Sequence, residues 1–587
     1  MAKKELTPEL RVLLAFGLSF LVLLLSRPLL VQPPPPGGGD AGGSDVSSGE
    51  AGEVAGGQET PESLAAPQAA APALIGEAPE FPALQMAPTA GGTEQEITVE
   101  TDLYQVVFST RGAVVKSWKL KDYLDPEGNP LELVHTEAAA QAGEPFSLWV
   151  SERALRDEIN TALFISSARG RLPVPGTLTF EYSSGRVAVR KQIIFSRDSY
   201  VVETETSLSR DGRAIGHGIA WPGAFGEMRT AGPGMGGIRV IYREPEGMVR
   251  LDPGDVEGEE TVASGPFRFA GIEDHFFSAV FLPQQGPLRV TAFRHEIRLP
   301  GQDEMSPAIG VAVGSGASPE NSMRLYVGPK ATDVLAEVDA LLPELVDYGW
   351  FGFIAKPLFM GLRWVHDNIV SNYGWSIVLL TIFINMLLFP LKLKSLRSMM
   401  KMQRLQPQIK AIQEKYKQYK FNDPRKKDMQ SETMALYKKN GVNPLGGCLP
   451  MLLQLPFFIG FYRVLISSIE MRQAPWIWWI QDLSSPESFS IKVLPLLMCG
   501  TQFLLQKMSP ATSPDPTQQK IMMFMPVMFL FFFWGLSSGL VLYWLTGNLM
   551  GIAQQVYINR IEMKHLIEAK RTASGKKKKA LVGKVEK

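Results

Sequence analysis

The sequence predicts an α+β membrane protein, in which a large antiparallel β domain precedes a polytopic helical bundle with six transmembrane helices in all. Between about residues 96 and 330, apolar and polar residues alternate with the period of two that a strand with one buried face requires. One apolar run near the N-terminus and five after residue 373 approach the roughly 20 residues of a membrane-spanning helix. At 587 residues, the chain is also too long for a single domain.

Charge is segregated along the chain, although the formal net charge is zero. Residues 31–100 contain eleven acidic residues and no Lys or Arg. Residues 391–440 contain fourteen basic and four acidic residues, and residues 559–587 contain ten and three. Such opposed blocks indicate separate compartments rather than one soluble surface. Cys448 and Cys499 provide neither a disulfide framework nor a CxxC metal or redox site.

The N-terminal elements are an anchor and a linker. The apolar run Val12–Leu25 follows basic residues and leads into a Ser-Arg-Pro sequence. A cleaved signal peptide is the alternative, but no small-residue cleavage site follows, which favours a transmembrane anchor over residues 1–31. Residues 32–95 are rich in Pro, Gly, Ala and acidic residues, a composition typical of a disordered tether.

The β domain is predicted over residues 96–335, where segments such as YVVETETSLS and RVAVRKQIIF are separated by Gly, Pro and Asp turns. Residues 336–372 follow as connecting helices, the last of them amphipathic and suited to the membrane interface. The apolar side of that helix comprises Leu358, Leu362, Val365 and Ile369.

A helical core is predicted over residues 373–558, with a basic helical hairpin after its first span and a basic tail at its end. The spans are 374–391, 446–468, 491–507, 519–535 and 537–556, with the hairpin at 392–444 and the tail at 559–587. If the N-terminus is inside, every strongly basic segment also falls inside and the β domain falls outside, as the positive-inside rule requires.

The charge of the hairpin and tail has two interpretations, and both can hold. One is topology together with attraction to anionic lipid. The other is docking of ribosomal RNA or of an acidic partner. The predicted contact residues are Lys401, Arg404, Lys410, Lys576 and Lys577.

Catalytic motifs are absent from the sequence. There is no Walker A or HExxH motif, and GPGMGG at 232–237 contains Pro and follows no strand-to-helix pattern, which favours a glycine-rich loop over a nucleotide site. Serines near the outer ends of the spans have no intramembrane His or Lys partner. The sequence therefore predicts no enzyme, cofactor or metal site.

Polar residues recur inside the predicted spans. They are Thr381, Asn385, Gln454, Arg463, Thr501, Gln502, Gln506, Thr546, Asn548 and Gln554. Hydrogen bonding between helices explains any one of them, whereas the whole set in one bundle favours a hydrated cavity. The fifth span, MMFMPVMFLFFFW, is either lipid-facing or an adaptable binding surface rich in Met and Phe.

The chain closely resembles the YidC/Oxa/Albino family of membrane protein insertases, in its long Gram-negative form. The resemblance is dense over residues 345–560 and looser in the β domain. The matching stretches include LVDYGWFGFIAKPLF, QRLQPQIKAIQEKY, MALYKKNGVNPLGGCLPMLLQLPFF, SSIEMRQAPWIWWIQDLS, QKMSPATSPDPTQQKIMMFMPV and SSGLVLYWLTGN. It implies a periplasmic β-supersandwich and a five-helix core whose hydrophilic groove opens to cytosol and lipid but not to the periplasm.

The resemblance also implies a function without ATP hydrolysis: insertion and folding of inner-membrane proteins. The implied partners are nascent membrane proteins, the Sec translocon, the ribosome and anionic lipids. The implied groove residues are Thr381, Asn385, Gln454, Arg463, Gln502 and Trp544, and the implied hydrophobic slide comprises Phe457, Met525, Met528 and Phe529. A polytopic transporter or channel is the alternative, and it would need a continuous polar path.

One position departs from the family pattern. The resemblance places an arginine five residues before Pro390, where this chain has Asn385. Arg463 is one candidate for the missing charge, but it is expected nearer the periplasmic end, where snorkelling to the interface is the favoured interpretation.

Overall fold

The computed structural model describes residues 87–585, apart from 224, 228–236, 285, 299–304, 317, 420–422, 443–448 and 510–515. Side chains are described except at 426, 449–453, 516–522 and 562–585. The predicted anchor (1–31), most of the linker (32–95) and all but the last glycine of the GPGMGG segment lie outside the described residues.

Twenty strands in the described part of the chain form three sheets. The first has the order β4 (Pro130–Glu132), β3 (Val114–Leu124), β2 (Tyr104–Ser109), β1 (Glu96–Glu100) and β7 (Gly170–Leu172). The second has the order β14 (Met248–Leu251), β13 (Arg239–Arg243), β16 (Ala270–Glu273), β17 (Phe277–Pro283), β20 (Asn321–Pro329), β10 (Val201–Arg210), β9 (Val187–Phe195), β8 (Gly176–Ser183) and β6 (Ile165–Ser166), with β11 (Arg213–Ala214) paired to β10. The third has the order β15 (Glu260–Gly265), β18 (Leu288–Arg298), β19 (Met305–Ser315), β12 (Gly218–Trp221) and β5 (Ser147–Trp149).

The strands pair antiparallel except for β1 with β7, so the predicted antiparallel β domain is confirmed. Along β10, buried and more exposed residues alternate over most of the strand, because one face packs on the core. Strand β17 is buried at six consecutive residues, as expected for a strand covered on both faces. Two short helices, α1 (Thr136–Ala142) and α2 (Arg153–Thr161), pack beside the sheets.

The helical part begins with α3 (Thr332–Val338) and α4 (Gly352–Asn368). The remaining helices are α5 (Tyr373–Leu387), α6 (Phe389–Lys415), α7 (Arg425–Lys439), α8 (Leu449–Ser467), α9 (Val493–Met508), α10 (Pro516–Phe533) and α11 (Ser538–Val585). On α4, the predicted apolar side is buried within the protein at Leu358, Leu362 and Val365. Ile369 is 59% exposed instead. The helix ends at Asn368, so the helical spacing that would place Ile369 on the same side no longer holds.

The first core span and the hairpin are arranged differently from the prediction. The sequence predicts a span to residue 391 and a hairpin from 392, but α5 ends at Leu387 and α6 already begins at Phe389. Pro390 lies in the first turn of α6, where its missing N–H leaves no intrahelical bond unmade. The chain therefore bends by 58° between the two helices.

Among the described residues, no single helix is both long and apolar enough to cross a membrane, whereas the bent pair of α5 and α6 meets the length and composition requirement.

The hairpin is held by a small apolar cluster of its own. Met402, Leu405 and Ile409 on α6 are buried together with Val442, just after α7. Their spacing of three and four residues is the one that the sequence predicts for a basic helix with one apolar side.

Candidate functional site

Thr381 and Asn385 lie one turn apart on α5, and both are buried, at 0% and 4% exposure. The Thr381 hydroxyl donates to the Ile377 carbonyl at 2.6 Å. The Asn385 Nδ2 atom donates to the Thr381 carbonyl at 2.8 Å. The two polar side chains thus bond to carbonyls of their own helix, which reduces the cost of burying them.

Asn385 also joins α5 to two other helices. Its backbone carbonyl lies in the last turn of α5, where carbonyls lose their intrahelical partners, and Gln554 Nε2 of α11 donates to it at 3.1 Å. Its side-chain Oδ1 accepts a hydrogen bond from Lys392 Nζ of α6 at 2.7 Å. Lys392 is not among the site residues that the sequence predicts. No local pattern predicts this contact, because it depends on the bend between α5 and α6.

A second polar group lies between α9 and α11. Trp544 Nε1 donates to Gln502 Oε1 at 3.4 Å, so the structure brings these two predicted groove residues together. One turn further along α11, Asn548 Nδ2 lies 3.3 Å from both the Thr501 hydroxyl and the Met498 carbonyl. Amides and hydroxyls from the two helices therefore bond across their interface.

The two predicted groove residues on α8 lie in different surroundings. Gln454 interacts with the Tyr543 hydroxyl of α11, so it faces the helix that carries Trp544. Arg463 instead packs its guanidinium against Gly349, in the loop before α4. The contact is so close that a Cβ atom at position 349 would lie 3.1 Å from Arg463 Nε. The structure does not place Arg463 beside Asn385.

Trp544 is the centre of an aromatic cluster that connects α8, α10 and α11. Its ring centroid lies 4.9 Å from that of Phe458, 5.0 Å from Phe533 and 5.9 Å from Phe529. The predicted slide residue Phe529 therefore lies against the predicted groove residue Trp544. Of the other predicted slide residues, Phe457 and Met525 are half-buried and Met528 is exposed.

The outer face of α10 is a continuous apolar surface. Its exposed residues recur after one, four, five and eight positions, which places them on one side of a helix. They are Met523, Phe524, Val527, Met528 and Phe531, with exposures from 45% to 78%. An exposed apolar surface of this kind marks contact with lipid or with another apolar chain.

The end of the bundle nearest the β domain is closed by apolar residues. Ile377, Leu465, Leu483 and Leu540 are all completely buried there. Leu483 belongs to the loop between α8 and α9, and its carbonyl accepts a hydrogen bond from the Gly539 N–H at 2.9 Å. This loop therefore plugs the bundle at the start of α11.

The same loop is fastened to the β domain by a buried ion pair that sequence reasoning missed. Arg472 Nε lies 2.7 Å from Glu227 Oε2, and both side chains are over 90% buried. Gln473 Nε2 donates to the Leu124 carbonyl at 3.0 Å. The Glu227 N–H in turn donates to Asp274 Oδ2 at 2.6 Å. Burial raises the pKa of Asp274 to about 6 despite such donors.

Lys401, Arg404 and Lys410 are exposed on α6, as a surface contact requires. The side chains of Lys576 and Lys577 lie outside the described residues. The roles assigned to these basic residues stay predictions.

The arrangement offers binding chemistry. The polar groups on α5, α6, α8, α9 and α11 are amides and hydroxyls, which donate and accept hydrogen bonds, and an indole and one ammonium, which only donate. Within the described ranges, no group of three or more His, Cys, Asp or Glu residues is placed to hold a metal ion.

Two family models match consecutive parts of the chain. The model described as 60Kd inner membrane protein matches residues 364–565, and the YidC periplasmic domain matches residues 96–360. A membrane protein insertase YidC from Ralstonia nicotianae is 35% identical over 523 residues, which cover 84% of this chain and 88% of the relative. The chain belongs to the YidC family of membrane protein insertases. A YidC from Syntrophus aciditrophicus is 36% identical, with 80% of this chain and 85% of the relative covered.

The predicted family and its non-enzymatic insertase function are thereby confirmed. A solved structure, an active YidC insertase with its first transmembrane domain resolved, is 20% identical to this chain, with 79% of this chain and 93% of that one covered and a TM-score of 0.34. This insertase belongs to the inner membrane, and its β domain is periplasmic. The number of spans and the orientation of the termini stay predictions.

Proposed function

We propose that this insertase moves membrane proteins through a half-depth groove in its helical core. The polar segment of a nascent chain enters among the polar side chains of α5, α8, α9 and α11. Its apolar segment leaves along α8 and α10 into lipid. Transfer of apolar surface out of water contributes about 25 cal/mol per Å², so the step needs no ATP.

The asymmetry of the bundle is the observation that carries this proposal. Asn385 and Gln554 meet at the hairpin end. Leu465 and Leu483 fill the opposite end, beside the β domain. A polar segment entering from the hairpin end would find hydrogen-bond partners for part of the membrane depth and then an apolar barrier. A channel or transporter would need polar groups along its whole length.

The exit route is supported by the contact between the two groups of predicted residues. Trp544 donates to Gln502 on its polar side and packs against Phe529 on its apolar side. Beyond Phe529 lies the exposed apolar face of α10. A chain held at the polar groups could therefore extend its apolar segment along α10 without crossing water.

We also propose an orientation of the protein in the membrane and a set of binding partners. The N- and C-termini and the hairpin face the cytosol, with the ribosome or anionic lipid at the basic side chains of α6 and of the tail. The Sec translocon is a further proposed partner. The exposure of Lys401, Arg404 and Lys410 supports the assignment of the hairpin to a charged surface.

Depletion in cells tests the function. After depletion, the translocated tails of small one- and two-span proteins should become inaccessible to proteinase added from the periplasmic side. Complementation with the full chain should restore their cleavage. Normal insertion after depletion would contradict the proposal.

Crosslinking tests the route. A photoreactive residue at Phe524 on α10 should crosslink to the apolar segment of a stalled nascent chain. The matched control is Phe383 on α5, because the two phenylalanines have similar exposures of 70% and 63%. Equal crosslinking at the two positions would show lipid contact without a preferred exit along α10.

A further inference from the structure

The end of the bundle beside the β domain is closed by three helices and by one loop. Of the four completely buried residues there, Ile377, Leu465 and Leu540 belong to helices, whereas Leu483 belongs to the loop between α8 and α9. A loop lacks the regular hydrogen bonds that hold a helix, so its position depends on the contacts that it makes elsewhere. If Leu483 moved away, the polar groups of the proposed groove would open to the periplasm, and a continuous polar path admits water and ions.

Arg472 joins this loop to the β domain. Its Nε lies 2.7 Å from Glu227 Oε2, and both side chains are over 90% buried. Its Nη2 donates to the Leu124 carbonyl at 2.6 Å, and its guanidinium lies 5.7 Å from the centroid of the Phe277 ring. The β domain thus supplies a carboxylate, a carbonyl and an aromatic face to one guanidinium, whose planar fork suits such a set of partners.

The Glu227 carboxylate is held in place by the backbone around it. The Glu227 N–H donates to Asp274 Oδ2 at 2.6 Å. The preceding Gly226 has a φ of +74°, and an added Cβ there would overlap the same oxygen, so only glycine fits. Asp274 Oδ1 in turn accepts from the N–H groups of Phe276 and Phe277 at 2.8 and 2.6 Å. The acceptor for Arg472 is therefore fixed by strand β17 and the residues before it.

A hydrogen-bonded path leads from Arg472 to Leu483. The next residue, Gln473, has a φ of +54°, and its Nε2 donates to the Leu124 carbonyl at 3.0 Å. A left-handed conformation is unfavourable for a residue with a Cβ, so it persists only where surrounding contacts hold it. The Ala474 carbonyl then accepts from the Leu483 N–H at 3.1 Å, and the Leu483 carbonyl accepts from the Gly539 N–H at 2.9 Å.

We propose that the β domain has a further function: it seals the groove against ions, because Glu227 and Arg472 hold the loop that places Leu483. The inference rests on the proposed groove and assigns the domain a part in keeping the membrane tight. Glu227 and Arg472 are positioning residues, since they act through Leu483. Removing one member of a buried ion pair leaves the other charge uncompensated, so either loss should release the loop.

The test measures ion leak through the full chain in proteoliposomes that contain a pH-sensitive dye. After a pH step outside the vesicles, the dye reports the rate of proton entry. Glu227→Leu and Arg472→Met each leave one buried charge unpaired, so each should raise this rate by about tenfold or more. Insertion of a single-span substrate should stay close to that of the wild type, because the nascent chain enters from the hairpin end.

The double variant, Glu227→Leu with Arg472→Met, separates the ion pair from the packing around it. Apolar side chains of similar volume can replace a buried ion pair without loss, because neither charge is then left unpaired. The double variant should therefore leak less than either single variant. Each rate is measured well below the melting temperature of the variant, so unfolded protein does not contribute.

Two further variants calibrate the leak. Glu344→Leu breaks a pair in which Arg243 Nε of the β domain lies 2.7 Å from Glu344 Oε2, the same distance as in the Arg472 pair. This pair holds the segment before α4 and not the loop between α8 and α9, so its loss should leave the rate unchanged. Leu483→Ser weakens the apolar barrier directly and should leak at least as fast as Glu227→Leu.

Several outcomes would overturn the inference. Equal leaks from Glu227→Leu and Glu344→Leu would mean that any weakened contact of the domain opens the bundle. A double variant that leaks faster than both single variants would remove the ion pair as the cause. A tight Leu483→Ser protein would show that Leu483 is not the barrier, and a leak from Leu483→Ser without one from Glu227→Leu would show that the loop holds itself.

The leak requires no substrate, so it is independent of the insertion assay. Failure of the wild-type protein to insert the substrate, together with the expected order of leaks, would count against the proposed function and not against the seal. A wild-type protein that inserts normally but leaks as fast as Glu227→Leu would contradict the seal and leave the proposed function standing.

Discussion

The periplasmic domain and the helical core stabilise buried polar groups in different ways. In the domain, Glu273 is completely buried and lies 2.9 Å from Arg250, 3.1 Å from Arg239 and 3.2 Å from Lys330. Buried Lys191 donates to three backbone carbonyls, at 2.7 to 3.0 Å. Each of these charges has several fixed partners.

In the helical core, the buried polar groups are mostly neutral and have few partners. Thr381 bonds only to its own helix, and Asn548 shares 3.3 Å contacts with α9. Lys392, a half-buried cation of this region, is held by an amide.

The difference indicates that the periplasmic domain and the helical core have different roles. A network of several charges has one arrangement of low energy, because removing any partner leaves a buried charge uncompensated. Neutral hydrogen bonds are individually weak in membranes, so a passing polypeptide can replace them at small cost. The domain is thus suited to a fixed scaffold and the core to a site that accepts different segments.

The largest effect is expected at Glu273. Burial alone would raise its pKa, but Lys330, Arg250 and Arg239 outweigh burial and hold the pKa below its ordinary value. Glu273→Gln leaves three cations without their counter-charge, so the free energy of unfolding should fall by about 3–5 kcal/mol. Denaturant unfolding of the full chain in detergent, followed by tryptophan fluorescence, measures the change.

The control for this prediction is Glu296→Gln in the same domain. Glu296 pairs with Arg294 at 2.8 Å, but both side chains are 40% exposed or more. An exposed pair contributes about 0–1 kcal/mol, so this variant should unfold close to the wild type. A similar loss in both variants would mean that the Glu273 network adds nothing beyond an ordinary surface pair.

A smaller, pH-dependent effect is expected at His217. Its Nδ1 donates to the Ile215 carbonyl at 3.0 Å, and its Nε2 accepts from the Thr206 hydroxyl at 2.8 Å, which requires the neutral ring. Burial lowers its pKa from 6.5 to about 4. The stabilisation is therefore complete above pH 6.5, is lost progressively as pH falls from 6.5 through 4, and changes no further below that.

By linkage, protonation of His217 lowers the free energy of unfolding by about 2 kcal/mol at pH 5. Unfolding of wild type and His217→Gln at pH 7.5 and pH 5 isolates it, because glutamine does not titrate. The wild type should lose about 2 kcal/mol more than the variant between these pH values. An equal loss in both proteins would show that the histidine protonates in place without cost.

Much of the β domain could be predicted from local pattern. The alternation in YVVETETSLS predicts the strand that the structure places at β10. Gly112 lies in one of the glycine turns that separate the strands: its φ is +72°, and a Cβ atom added there would lie 2.4 Å from the Asn160 carbonyl oxygen. Which strands pair could not be predicted, because β10 meets β20 over more than 110 residues of chain and pairing depends on the folded layers.

The site was predicted less completely than the fold. The sequence marks Thr381, Asn385 and Gln454 as polar residues in apolar helices. It does not mark Lys392, because the apolar run predicts a span that continues past Pro390. The bend at Leu388 brings the lysine onto the amide. The Arg472–Glu227 pair carries no local signal at all, since 245 residues separate its members.

The smallest effect is expected at Thr381. Its hydroxyl bonds only to the Ile377 carbonyl, and valine has nearly the same shape, so Thr381→Val should lower the free energy of unfolding by less than about 1 kcal/mol. Thr546→Val is the matched control, because Thr546 is also buried and donates to the Leu542 carbonyl at 2.8 Å. Denaturant unfolding in detergent compares the two variants with the wild type.

Two small and equal losses would show that neither hydroxyl is needed to hold the bundle together. Any insertion defect of Thr381→Val alone would then report contact with the substrate rather than a weakened fold. A loss above about 2 kcal/mol at Thr381 would mean that this hydroxyl does more than bond to its own helix. The core would then depend on specific polar contacts, as the periplasmic domain does. The contrast between a fixed domain and a core that accepts different segments would not hold.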